Sequence, residues 1–131
     1  MTISQTALRY DREVATRLIP LLEVLVGEYL DRARSVRSLR RQLSLYLDPE
    51  GRLPEHQPER GTASELRACL STQLREFRLV TEELESLSCE FDTRRRMVRI
   101  PGESGNLEDG FEWYMGSSDV ISLGASDLAI T

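Results

Sequence analysis

Residues 62–91 read TASELRACLSTQLREFRLVTEELESLSCEF. Leu66, Leu70, Phe77, Val80, Leu84, Leu87 and Phe91 follow one another at alternating steps of three and four once position 73 is counted. That spacing keeps one stripe of an α-helix turned toward a partner helix. Gln73 is the polar exception in the stripe, with Leu74 beside it. At the front, Thr62 is followed three residues later by Glu65, the pattern of a capping box, in which each side chain takes one orphan backbone amide. The pattern predicts a long helix over 63–91.

Upstream, residues 11–47 carry the same alternation. Leu22, Leu25, Tyr29, Val36, Leu39, Leu43 and Tyr46 form a heptad seam if Arg32 is counted as a seam position. Arg32 interrupts the stripe, either rotating Ala33 in or reaching outward with its guanidinium. Pro20 lacks an amide hydrogen, so a short leading turn and a kink or restart near Pro20 are expected. Gly27 weakens the run slightly. Between the two helices, residues 48–62 hold three Pro and two Gly and are expected to form a loop. Two long helices joined by such a loop fold back as an antiparallel hairpin.

Downstream, the period changes from helical to two. Val98 and Ile100 share one side and Met97 the other; Phe111, Trp113 and Met115 alternate with Glu112 and Tyr114. Turn residues at 101–106 separate the runs. An antiparallel pair is expected, Met97–Ile100 with Gly110–Met115, and residues 120–123 can add a third strand. Residues 94–123 then form a small meander, and 124–131 a frayed tail. The fold class is therefore mainly α with a small C-terminal β part, a coiled-coil-like hairpin followed by a two- or three-stranded antiparallel meander. At 131 residues the chain is expected to form a single domain.

Composition narrows the function classes. Hydrophobic residues make up 40% and charged residues 30%, enough apolar content to fold. Seventeen basic residues, all Arg, stand against 22 acidic ones, for a net charge of −5. A net-acidic chain is a poor general nucleic-acid binder. The charge is uneven: residues 31–47 carry five Arg and one Asp, 94–99 four Arg and no acid, and 103–131 six acids and no Arg. The basic and acidic parts are expected to face each other, within a chain or between chains. Arg34, Arg37 and Arg41 form an exposed stripe on the first helix, and Glu76, Glu83 and Glu90 one on the second. Arg94, Arg95, Arg96 and Arg99, read as lying on a strand, can hold a phosphate backbone with Trp113 and Tyr114 stacking on bases, or pair with the acids at 103–112. The nearness of those acids favours pairing.

The chemistry of a reaction centre is sparse. The one His, His56, lies in the Pro-rich loop, and no Ser/His/Asp or Cys/His set can be built on it. Cys69 and Cys89 have no metal-ligand spacing, and on one helix they stand roughly 30 Å apart, too far for a disulfide. Both are expected to be free thiols in a reducing cytoplasm. Glu82 and Glu83 read as helix surface. No Gly-rich phosphate loop occurs. No apolar run of membrane-spanning length is present, and residues 1–10, MTISQTALRY, lack the pattern of a signal peptide. No catalytic residue, cofactor or metal is expected.

Short motifs resemble a family of uncharacterised bacterial proteins. Leu18-Ile19-Pro20-Leu21-Leu22, Val98-Arg99-Ile100-Pro101 and Phe111-Glu112-Trp113-Tyr114-Met115-Gly116 resemble, in order, the opening step and two strands of the domain-of-unknown-function 2203 family. Ser117 stands where that family has Glu, and Val120-Ile121-Ser122 where it has a Trp-His pair. The resemblance implies a helical hairpin followed by strands, and no activity.

What remains is a protein that works by contact. A hairpin covers one side of each helix, and apolar residues off the seam widen the open face. The expectation is a non-catalytic scaffold or adaptor that forms a homodimer, a four-helix bundle with Leu22, Leu25, Val26 and Tyr29 near the contact, or docks another protein on its helical face. A nucleic-acid-associated regulator using the Arg surfaces is the alternative. Trp113 is expected on the strand face that packs against the helices, with Phe111 and Met115.

Overall fold

A computed structural model describes residues 8–124. The elements run α1 (Arg12–Arg17), α2 (Ile19–Ser44), α3 (Glu59–Ser86), β1 (Glu90–Asp92), β2 (Met97–Ile100), β3 (Phe111–Tyr114) and β4 (Ile121–Ser122). The molecule is mainly helical, with a helical hairpin followed by a four-stranded antiparallel meander in the order β1-β2-β3-β4. The expected third strand is β4, and β1 is a fourth. The frayed tail expected after Gly124 falls outside the described residues. The chain divides into two compact units: Gly27–Thr81, here the hairpin unit, and the remainder, here the sheet unit.

In the sheet unit, Asp11 caps α1 by accepting the Val14 amide at 2.8 Å. Leu18 ends α1 with its backbone still in the right-handed helical region, and α2 begins directly at Ile19, so Pro20 occupies the first turn of α2, where amides have no intrahelical partner anyway. At the other end of the helical stretch, α3 stops at Ser86 instead of running to Phe91. Ser88 adopts a left-handed φ of 60°. Its amide donates to Glu85 O at 2.9 Å, and the Cys89 amide reaches back to Leu84 O at 3.2 Å. This is a Schellman ending, with the buried pair Leu84 and Cys89 as its apolar contact. The chain leaves it extended, and Glu90–Asp92 join the sheet.

The registers align Val98 with Trp113 and Ile100 with Phe111 on one sheet face, and Met97 with Tyr114 and Arg99 with Glu112 on the other. Val98, Ile100, Phe111 and Trp113 are buried, as is Met97 on the opposite face. Met115 is a correction: β3 ends at Tyr114, and Met115 enters a turn where it is exposed. Two glycines permit the close approach at the base of the β2–β3 connection. A Cβ on Gly110 would collide with Ile100 O, and one on Gly102 would lie 2.5 Å from Asp109 O.

In the hairpin unit, α3 starts one turn earlier than its capping pattern implied. Gln57 Oε1 accepts the Gly61 amide at 2.9 Å, and Pro58 O accepts the Thr62 amide at 3.0 Å. Thr62 is therefore inside the first turn, its hydroxyl donating to Pro58 O at 3.3 Å; the Thr62–Glu65 capping box does not form. In the connection, Asp48 Oδ1 accepts the amides of Glu50 and Arg52 at 2.9 and 2.8 Å, and Arg52 Nε pairs with Asp48 at 3.1 Å.

Candidate interaction surfaces

The first surface is the seam of the hairpin unit. Tyr29 on α2 meets Phe77 on α3, ring centroids 4.8 Å apart and tilted by 52°. About one turn further along each helix, Arg32 Nη1 donates to Gln73 Oε1 at 3.2 Å. The two polar exceptions of the heptad seam thus form one polar layer. Arg32 does not simply reach outward: its Nε is buried and finds no acceptor among the described residues.

Beside this layer lies an open groove of about 500 Å³ lined by Arg34, Ser35, Ser38, Leu39, Gln42, Cys69 and Gln73. Cys69 is exposed in it as a free thiol, a residue that sequence reading did not assign to any surface. Arg34, Arg37 and Arg41 are exposed, as expected of a solvated stripe. Arg34 pairs with Asp31 on its own helix at 3.5 Å, and among the described residues no ion pair links the Arg stripe to Glu76, Glu83 or Glu90. Glu90 is not on a helix at all but begins β1.

Three of the four residues expected at a dimer contact are covered within one chain. Leu22 and Val26 are completely buried and Leu25 nearly so, all in the sheet unit. They cannot serve as a contact surface, because the heptad stripe of α2 is spent there on the chain's own core. Tyr29 is half-buried. The apolar side chains that α2 leaves in the open in this stretch are Leu21 and Val24, on a different face.

The second surface is the β1–β2 turn. Asp92 Oδ1 accepts the amides of Arg94 and Arg95 at 3.0 and 3.1 Å, and Arg96 takes a left-handed φ of 53°. Arg94, Arg95 and Arg96 therefore lie on a turn and not on a strand, and all three are exposed. Among the described residues, only Arg95 has an acid in reach, Asp92 at 4.0 Å. The pairing expected with the acids at 103–112 is made by Arg99 alone, whose Nε lies 3.9 Å from Glu112. The Tyr114 hydroxyl donates to Glu112 Oε1 at 3.1 Å, and this bond raises the Tyr114 pKa. Trp113 is completely buried and its Nε1 donates to Ser117 O at 2.8 Å. It offers no face to a base, so the stacking platform proposed for nucleic acid does not exist at that residue.

A further ion pair tethers α1 to the last turn of the meander. Arg12 Nη2 lies 3.1 Å from Asp119 Oδ2 and 2.8 Å from Val120 O. The Asp119 pKa is held down, first by the Val120 amide and then by Arg12. His56 is exposed in the loop, and among the described residues no group of three or more His, Cys, Asp or Glu is placed to hold a metal ion. No described helix is long and apolar enough to cross a membrane. Compared with known protein families, with curated proteins and with solved structures, the chain finds no match.

Proposed function

We propose that the protein is a non-catalytic interaction or scaffold protein that acts through its hairpin unit and self-associates there. The observation that carries this reading is the incomplete cover of that unit. Over Gly27–Thr81, the buried apolar residues are Val36, Leu43, Ala63 and Val80. Tyr29, Leu39, Leu66, Leu70 and Phe77, all seam or near-seam residues, are only partly buried. Two helices cover one side of each other, and the commonest way to cover the rest is a second hairpin, giving a four-helix bundle. The contact moves accordingly from Leu22, Leu25 and Val26 to Leu39, Leu66 and Leu70. Free thiols at Cys69 and Cys89 suit a reducing cytoplasm.

Light scattering at roughly tens of micromolar tests the reading, because the dimer population depends on protomer concentration. The expected result is a dimer for the wild type and a monomer for Leu39→Glu and Leu70→Glu. A monomeric wild type would overturn it. The nucleic-acid alternative loses support from the burial of Trp113.

A further inference from the structure

Beyond the hairpin, one turn of the sheet unit, between β1 and β2, carries a local surplus of positive charge that the proposed function does not use. On β2 and β3, Arg99 and Glu112 offset each other, and Tyr114 satisfies Glu112 further. On the adjoining turn, only Arg95 among Arg94, Arg95 and Arg96 reaches an acid among the described residues, Asp92, and one oxygen of that carboxylate is engaged with two backbone amides. Arg94 and Arg96 have no acid within ion-pair distance among the described residues. An open cleft of about 430 Å³ is walled by Asp92, Arg94 and Arg95.

The turn is held in place before any ligand arrives. Asp92 fixes its start, and the Arg96 carbonyl accepts the Met115 amide at 3.0 Å, which ties its end to the strand β3 terminus. A backbone ordered in advance lowers the cost of binding. We propose that the Arg94–Arg96 turn is a docking point for an acidic segment of a partner protein, each guanidinium fork taking a carboxylate. Guanidinium–carboxylate pairing is planar and bidentate, and three adjacent forks match a short run of Glu or Asp. A nucleic acid fits less well. An extended phosphate backbone needs a basic track longer than a single turn. The surplus charge covers one turn, without an exposed indole beside it.

Fluorescence anisotropy of a labelled oligoglutamate peptide, titrated with the full chain at low salt, tests the proposal. A thymidine oligonucleotide of equal charge serves as the second probe. Two triple variants, R94Q/R95Q/R96Q and R34Q/R37Q/R41Q, change the net charge equally and differ only in place. Saturable peptide binding is expected, weakened about tenfold in the first variant, as the loss of three exposed ion pairs implies, and under about twofold in the second. Trp113 emission checks that each variant is folded. Should the first triple fail to fold, Arg94→Gln and Arg96→Gln singly are each expected to weaken binding about twofold. No binding of the peptide, equal weakening in both triples, or tighter binding of the oligonucleotide would overturn the proposal.

Discussion

The sheet unit and the hairpin unit are made from similar apolar residues, yet they end with different interiors. Among the described residues, 14 hydrophobic side chains are buried in the sheet unit and four in the hairpin unit. The difference follows from what each stretch has to pack on. In the sheet unit, Ile19, Leu22, Leu25 and Val26 from α2 and Leu84 from α3 share a core with Val98, Ile100, Phe111 and Trp113 from the meander. In the hairpin unit, the same two helices have each other and their connection, and no sheet among the described residues. Their interior admits an Arg–Gln layer, and the flanking leucines are only partly covered. A heptad pattern therefore says that a helix has a partner stripe, while the number of layers around that stripe decides how much of it is buried.

The largest expected effect lies in the sheet unit. Trp113→Ala removes a fully buried indole and leaves Ser117 O without its donor. A loss of about 3–5 kcal/mol is expected. Leu70→Ala, at a partly buried seam position of the hairpin unit, should cost about 1 kcal/mol. Urea denaturation followed by circular dichroism measures both. Equal losses would break the contrast between a layered core and a thin one.

How much of this was readable beforehand differs along the same lines. The hairpin, β2 and β3 followed from periodicity, since each has a clear step of three and four or of two. Strand β1 was hidden because Phe91 continues the helical spacing, while the signal that ends the helix is a left-handed Ser88, a conformation that a serine does not advertise. The earlier start of α3 was hidden for a similar reason: its cap is a Gln side chain, outside the usual capping residues. The burial of Leu22, Leu25 and Val26 required knowing that the meander shares a core with that part of α2, which is a tertiary fact. Of the candidate surfaces, the exposed Arg stripe and the Arg94–Arg96 cluster were named from sequence, the cluster as part of a strand. The groove holding Cys69 and the Arg32–Gln73 layer were not, because both need the helices in register.

That polar layer gives a second, intermediate effect. Gln73→Leu would strip Arg32 of its one hydrogen-bond partner while its Nε stays buried. A loss of about 1–2 kcal/mol is expected for a partly buried cation left unpaired. Adding Arg32→Met to that variant should restore stability to within about 1 kcal/mol of the wild type or exceed it, because an apolar layer replaces the polar one. A double-mutant cycle in urea reads the coupling. Additive losses would mean that the two side chains do not act as a pair. If the double variant also changes the oligomeric state seen by light scattering, the layer sets pairing specificity as well as local packing.

The smallest effect concerns the two cysteines, one in each unit. Cys69 is exposed in the hairpin unit and Cys89 is buried in the sheet unit. Burial pushes the Cys89 thiol up from 9.0 to about 12. A thiol kept neutral by the fold contributes its full stability below the unfolded value, and that contribution is lost as pH rises from about 9 toward about 12, since only the unfolded chain ionises in that window. Between pH 7 and pH 10 the expected loss is of order 1 kcal/mol. Tyr10, raised by burial and by its closeness to Cys89, acts in the same direction. Comparing wild type with Cys89→Ala isolates the thiol: the variant should lose about 1 kcal/mol less over that interval. In the native protein at neutral pH, an aromatic disulfide reagent should modify Cys69 at once and Cys89 only as the sheet unit opens. Prompt modification of both thiols, or the same pH dependence with and without Cys89, would show that the core around Cys89 is as open as the hairpin groove.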